Sequence, residues 1–297
     1  MKILLTGADG QVGFELWRTL QFNREVIPTT SNGRDINGMG TIKFDMNDAD
    51  DVQNKLEAIA PDVICNAAAY TAVDQAESDV DAAHRINAEA VAQMAEFCRL
   101  KKLLMIHYST DYVFSGKDRN FPWREQDPIN PQSVYGRSKA DGEQALIDSQ
   151  CEHMIFRTAW VYSNRRHNFL KTMLKLGQTK DELKIVNDQQ GTPTWADTIA
   201  LATMLALNIP ESGIYHLTAA GHTTWYGFAK HIFNQALRTG LLDSKPKLIP
   251  VSSEQFPTAA SRPQYSVLDC QKFAGTFNVK LPHWQTTLQH CMQRMTL

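Results

Sequence analysis

Three glycines seven residues into the chain constrain its fold more than any other feature. Gly7-Ala8-Asp9-Gly10-Gln11-Val12-Gly13 comes directly after the apolar run Ile3-Leu4-Leu5-Thr6. Between a strand and a helix, glycines at this spacing permit a tight turn and a close approach of bare backbone to a neighbouring group. The helix that starts after Gly10 offers unpaired amides and a partial positive charge, a cradle for an anion such as a diphosphate. The spacing is G-x-x-G-x-x-G, not G-x-G-x-x-G. No G-x-x-x-x-G-K-[ST] sequence is present, so hydrolysis of a nucleoside triphosphate has no support.

Beyond the turn, short apolar runs alternate with longer helical patterns. Ile3–Thr6, Glu25–Thr29, Thr41–Phe44, Asp62–Asn66, Leu103–Ser109 and His153–Thr158 read as strands. Helices are expected after Gly10, over Asp48–Ile59 before Pro61, over Val80–Leu100 and over Ser133–Ser149. Such alternation predicts the α/β class, a doubly wound parallel sheet with helices on both faces. After Trp160 the rhythm loosens. Asn168–Gly177, a stretch entered at Pro193 and Asp197 and running to Leu207, Thr223–Arg238 and Trp284–Met295 read as helices, and Leu183–Val186 and Gly213–Leu217 as strands. With no repeat or flexible linker, the division expected is residues 1–160 as a nucleotide-binding domain. Residues 161–297 then form a smaller C-terminal lobe interleaved with it.

Composition removes several classes. A net charge of −2 does not suit a nucleic-acid binder, which needs a basic patch for phosphates. No apolar run approaches the ~20 residues needed to span a bilayer, so no membrane partner is expected. Met1-Lys2 leads straight into the first strand, so no signal peptide is expected. The five cysteines are scattered and lack a C-x-x-C pair, which points to reduced thiols in a cytoplasmic protein. No histidine or cysteine spacing suggests zinc, and no metal site is assigned.

The chemistry sits in Tyr135-Gly136-Arg137-Ser138-Lys139 and Ser109-Thr110-Asp111-Tyr112. Positions i and i+4 of a helix share a face, so Tyr135 and Lys139 can meet one small molecule. A phenol beside an ammonium can act as a proton donor with a lowered pKa. Thr110, at the end of a strand, can hydrogen-bond a carbonyl oxygen. Gly7, Gly10, Gln11, Val12 and Gly13 are the candidates for a dinucleotide's pyrophosphate. Asp45 and Met46 are placed to meet its adenine, and Ala67, Ala69, Tyr70 and Thr71 to let it approach closely. The second strand ends Pro28-Thr29-Thr30-Ser31 with Arg34 just beyond, and carries no carboxylate at its tip. Thr30 and Arg34 therefore favour a 2′-phosphate and NADPH; nearby Asp35 keeps NADH open.

With these motifs the chain resembles the extended short-chain dehydrogenase/reductase superfamily, of the Rossmann type. The resemblance lies in T-G-x-x-G-x-x-G at Thr6–Gly13, N-A-A at Asn66–Ala68, S-T-D-Y-V-F at Ser109–Phe114 and Y-x-x-x-K at Tyr135–Lys139. More closely it resembles the dTDP-4-dehydrorhamnose reductases. Pro61–Asp74, His107–Gly116, Phe156–Tyr162, Asn187–Thr194 and Ala260–Pro263 carry that likeness nearly end to end. The resemblance implies NAD(P)H-dependent reduction of the 4-keto group of dTDP-4-dehydro-L-rhamnose, with the sugar nucleotide held by the C-terminal lobe. It also implies a homodimer joined by Mg2+ in some members. Glu15 and Asp197 are the candidates here, although the C-terminal helix is poor in carboxylates.

These residues have distinct expected roles. Tyr135 protonates the carbonyl oxygen, Lys139 holds the nicotinamide ribose and biases the tyrosine, and Thr110 orients the carbonyl. Trp160 walls the sugar, and Arg262 pairs with the diphosphate. Asp111 either caps its turn or binds sugar hydroxyls. Two rivals stand beside this reading. One is an epimerase or dehydratase of the same fold, for which Asp111 beside Thr110 is an argument. The other is a regulatory subunit that binds a dinucleotide without catalysis, against which the intact tyrosine and lysine speak.

Overall fold

The computed structural model describes residues 1–35, 38–117 and 119–295. Seven parallel strands form one sheet in the order Gly213–His216, His153–Thr158, Leu104–Thr110, Val63–Asn66, Lys2–Thr6, Glu25–Thr30, Ile42–Lys43. The first strand lies between Glu25–Thr30 and Val63–Asn66, so the winding reverses there. That reversal opens a crevice beyond the carboxyl ends of the strands, where ligands bind in open α/β sheets.

The central strands are apolar throughout because both of their faces are covered. Their side chains alternate between two cores. Ile3, Leu5, Cys65, Ile106, Met154 and Phe156 enter one cluster. Leu4, Ile64, Met105 and Ile155 enter the other. The period of two along each strand thus supplies two hydrophobic layers from one set of residues.

A further core lies beside the sheet. The helices Phe169–Gly177, Trp225–Thr239 and Trp284–Gln293 bury Leu170, Phe228, Ile232, Phe233 and Leu288 against one another. Glu182–Val186 pairs in parallel with Lys247–Val251 at the edge of this lobe. The chain does not stay on one side after residue 160. Helix Ala196–Ala206 packs on helix Gln11–Leu20, and Gly213–His216 supplies the edge strand of the main sheet. Helix Gln271–Phe277 adds Phe273 and Phe277 against Phe156 and Tyr215.

Two local differences from the sequence pattern have physical causes. The helix expected over 80–100 is broken into Val80–His84, a π-helical turn Arg85–Glu89 and Ala90–Lys101. The turn carries buried Asn87, whose amide bonds the Tyr70 backbone and Ser138 and so draws the helix out of register. The polar stretch 188–194 contains two short pairings, Gln190–Gly191 with Thr223–Thr224 and Thr194–Trp195 with Val161–Tyr162. Among the described residues no helix is long and apolar enough to cross a membrane, and all five cysteines are free.

Candidate active site

The glycine turn is built as a bare cradle. Gly7 has a φ of +64°, and a Cβ on it would lie 2.8 Å from the Ala68 backbone. A Cβ on Gly13 would lie 2.0 Å from the Gly7 carbonyl oxygen. Helix Gln11–Leu20 can therefore start directly against the turn, and no side chain caps its first amides. This cradle fits a dinucleotide pyrophosphate. The Gln11 side chain is committed elsewhere: its Oε1 accepts from Asn168 Nδ2 at 2.8 Å and from Ser163 Oγ at 3.0 Å. Gln11 thus contributes backbone to the cradle and joins it to the second lobe. Arg166, outside the expected set, donates to the Asp9 carbonyl at 2.8 Å and pairs with its carboxylate.

At the neighbouring strand end, Thr110 accepts from the Tyr112 amide at 3.2 Å and donates to Asp111 Oδ1 at 3.1 Å. Tyr135 hydrogen-bonds the same threonine. Ser133 caps the helix Val134–Asp148 that presents Tyr135 and Lys139, accepting from the Gly136 amide at 3.1 Å. Gly136 lets this helix close on the turn after Thr110, since a Cβ there would meet the Tyr112 carbonyl oxygen at 2.4 Å. Thr110 and Tyr135, and Lys139 one turn along the same helix, therefore meet at the carboxyl ends of the strands.

The electrostatics differ from the simple phenol–ammonium picture. Burial pushes the Tyr135 phenol up to about 12, with Thr110 pulling it down and Asp111 pushing it up. The phenol is protonated at neutral pH, as a donor must be. Burial brings Lys139 down to about 8, opposed by Glu143. Burial also raises Asp111 to about 6 against hydrogen bonds from Ser266 and Thr110. Its Oδ2 is enclosed, yet no donor reaches it in good hydrogen-bonding geometry. A hydrogen-bonding ligand group would answer that atom, so both roles expected of Asp111 have a basis here.

Lys139 Nζ donates to the Tyr108 carbonyl at 2.7 Å and lies 3.1 Å from His107 Nε2. Asn87 ties the loop after the fourth strand to the Tyr135 helix, because it bonds both the Tyr70 backbone and Ser138. His107 has a sequence signal, a polar residue directly after the apolar run Leu103–Ile106; Asn87 stands among His84, Arg85 and Glu89 and has none.

The remaining cofactor candidates separate by exposure. Ala67 and Ala69 are half-buried beside the glycine turn, and Thr71 is exposed. Tyr70, half-buried, donates to Asp79 Oδ2 at 2.8 Å. Asp45 is half-buried, whereas Met46 sits inside a core cluster and leaves only its backbone for a ligand. Thr30 is buried. Ser31, Arg34 and Asp35 lie beyond it; Arg34 and Asp35 are exposed, and the Asp35 carboxylate accepts from the Gly40 amide at 2.9 Å.

A cavity of about 1410 Å³ opens in the second lobe, lined by Phe169 and Trp225 with Lys117, Lys184 and Arg262 at its polar side. Phe169 and Trp225 have ring centroids 4.7 Å apart. Trp160 stacks flat on Trp225 at 3.5 Å and lies behind it. Trp225, which sequence reasoning passed over, is therefore the aromatic wall of this cavity. Arg262 holds Asp74 at 2.8 Å and hydrogen-bonds Tyr112, whose ring meets Tyr135 edge-on at 5.6 Å. The cavity and the Thr110–Tyr135 pair are joined through these contacts. Any diphosphate at Arg262 shares it with Asp74, whose carboxyl the arginine holds below its usual range.

Glu15 and Asp197 also come together, but Arg18 bridges them. Its Nε lies 2.7 Å from Glu15, and its Nη2 pairs with Asp197. Arg294 adds a second cation 3.2 Å from Asp197. Guanidinium groups already neutralise both carboxylates, and the pair does not fit a divalent cation.

Comparison with known proteins places this geometry. The family model described as the RmlD substrate binding domain matches residues 1–297. The dTDP-4-dehydrorhamnose reductase of Escherichia coli strain K12 is 41% identical over 99% of this chain and 98% of its own. A crystal structure of a dTDP-4-dehydrorhamnose reductase from Clostridium acetobutylicum superposes with a TM-score of 0.90 at 36% identity, covering 100% of both chains. The Bacillus anthracis enzyme of the same name, in complex with NADP, also reaches 0.90, at 32% identity over 99% of each chain.

Proposed function

The chain belongs to the dTDP-4-dehydrorhamnose reductase family, and we propose that it uses NADPH to reduce the C4 carbonyl of dTDP-4-dehydro-L-rhamnose to dTDP-L-rhamnose. The observation that carries this reading is the meeting of Thr110, Tyr135 and Lys139 between a glycine cradle and an aromatic, cationic cavity.

The glycine cradle of Gly7, Gly10 and Gly13 would hold NADPH, which would supply a hydride for C4. The protein's part is position and a proton. Tyr135, protonated at neutral pH, gives its hydrogen to the oxygen on which negative charge grows. Thr110 turns its hydroxyl hydrogen from Asp111 to that oxygen and shares the charge. The phenolate then regains a proton from solvent. Lys139 uses two of its three donors on the Tyr108 carbonyl and His107, and the third is available to a cofactor ribose. Phe169 and Trp225 suit a nucleobase, and Lys117 and Arg262 the diphosphate. Asp111 Oδ2 takes a sugar hydroxyl.

The test is NADPH oxidation in the presence of the 4-keto sugar nucleotide, with the product identified by NMR. One NADPH consumed per dTDP-L-rhamnose formed supports the reading. Sugar conversion without net NADPH oxidation would assign the chain to the epimerase or dehydratase chemistry of the same fold.

A further inference from the structure

One fully buried polar side chain next to the reacting groups has no role in the reaction above. His107 stands in strand Leu104–Thr110 with its Nε2 3.1 Å from Lys139 Nζ and its Nδ1 3.1 Å from the Asn66 amide. Asn66 contacts Thr6 Oγ1 at 2.6 Å, and that hydroxyl accepts from the Ala68 amide at 3.2 Å. Thr6, Asn66, His107 and Lys139 thus form one hydrogen-bonded chain. It runs from the base of the glycine turn, across three neighbouring strands, to the helix that carries Tyr135.

Counting donors decides where the protons lie. Burial and the neighbouring ammonium both hold His107 well below the usual imidazole range, so its ring is neutral. A neutral imidazole has one donor and one acceptor, and an ammonium has only donors. Lys139 therefore needs the lone pair at Nε2, and the ring hydrogen must sit on Nδ1. Nδ1–H in turn needs an acceptor: the amide is placed with Nδ2 at the ring and Oδ1 at Thr6, so it is turned end for end to bring its oxygen to Nδ1. The two ends of an amide are isosteric, and Thr6 Oγ1 accepts from the amide NH2 as readily as it donates to the oxygen.

We propose that His107 is a positioning residue for Lys139: held by Asn66 as the Nδ1–H tautomer, it offers Nε2 to the ammonium and keeps that charge in place at the cofactor site.

Of the other charged groups near Lys139, Arg137 is exposed on the outer side of the helix and the rest are engaged elsewhere. Glu143, one turn beyond Lys139, is paired with Arg157 of the adjacent strand at 2.6 Å. His84 pairs with Asp141 at 3.2 Å on the outer face, and Glu77 accepts from the Val134 amide. Asp111 acts on Tyr135. His107 is thus the side chain that holds the ammonium by a hydrogen bond, and the Tyr108 carbonyl is the backbone partner.

The inference rests on Lys139 acting as a cation in the proposed reduction, and its first test needs no catalysis. Imidazole-15N spectra at pH 7, with the His107 signal identified by its loss in H107Q, should show a protonated Nδ1 and a lone pair on Nε2. An Nε2–H tautomer or an imidazolium overturns the proposal. A protein inactive on the 4-keto sugar that still shows Nδ1–H would defeat the reductase reading alone. The second test is the alkaline limb of the pH–rate profile. Losing an acceptor disfavours the ammonium, so H107F and H107N should move the limb to lower pH by about one unit or more. H107Q, which carries an oxygen near the Nε2 position, should restore it. Equal limbs in H107N and H107Q overturn the proposal, and the comparison of these two polar variants stands even where H107F fails to fold.

Discussion

Replacing Gly13 by alanine should weaken cofactor binding more than it weakens the fold. The added Cβ would lie 2.0 Å from the Gly7 carbonyl oxygen and 2.7 Å from its carbon, where ordinary contact begins at 3.4 Å. Both are backbone atoms, so no rotamer change relieves the clash. Gly7 cannot simply retreat, because its own Cβ direction is already blocked by Ala68 at 2.8 Å. The turn must open by about 1.4 Å, and overpacking of this kind costs about 1–3 kcal/mol. Spent on the cradle's geometry, that is roughly a 5- to 140-fold rise in the dissociation constant for NADPH. Gly10→Ala, with its Cβ 3.1 Å from the same oxygen, should fall between wild type and G13A. Gly275→Ala is the control: nothing lies within 4 Å of its Cβ, and removing a helical glycine should stabilise by about 0.5–1 kcal/mol. Fluorescence titration with NADPH, beside thermal unfolding of the same samples, separates the two effects. A folded G13A that binds NADPH within twofold of wild type would refute the cradle.

Three further outcomes are expected. Arg262→Ala should raise the calorimetric Kd for dTDP by about one to two decades, the scale of a charge-assisted contact; equal affinities would remove Arg262 from the diphosphate site. Arg34→Ala should raise the KM for NADPH about tenfold and leave that for NADH unchanged, since the exposed cation can reward only the 2′-phosphate; parallel changes for both cofactors would count against it. Asp111 titrates at about 6 in the fold against 3.8 in the open chain, so the folded state holds the extra proton between those values and stability falls as pH rises through them. Asp111→Asn should abolish that fall, stabilise the protein at pH 7 by on the order of 2–3 kcal/mol and lower turnover; denaturant melts from pH 4 to 7 that decline as in wild type would contradict it.

The doubly wound sheet was legible because its signals are local. A glycine turn, apolar strands with period two and helices between them all point the same way. Boundaries slipped where tertiary contacts override the pattern. No periodicity could announce the π-helical turn at Asn87, which exists because one amide bonds a loop and a neighbouring helix together. Lys247–Val251 is half exposed at a sheet edge and lacks the alternation that would mark it. Among site residues, Thr110, Tyr135 and Lys139 were readable as motifs. Trp225 was not, because an aromatic on an amphipathic helix looks like core until the cavity beside it is seen. The direction of the Tyr135 shift is hidden for a related reason: spacing shows that a lysine is near, but burial decides which way the phenol moves, and it moves up.

The most direct test of the account is a single-turnover reduction with NADPH carrying deuterium at both C4 positions of the nicotinamide, comparing wild type with Tyr135→Phe. The substitution keeps the ring and removes only the proton donor. Wild type should place deuterium at C4 of the rhamnose ring. The variant should do the same about 10²-fold more slowly, the scale of lost general acid catalysis, with its affinity for NADPH little changed. A sugar without deuterium at C4, or a variant that keeps half the wild-type rate, would contradict it.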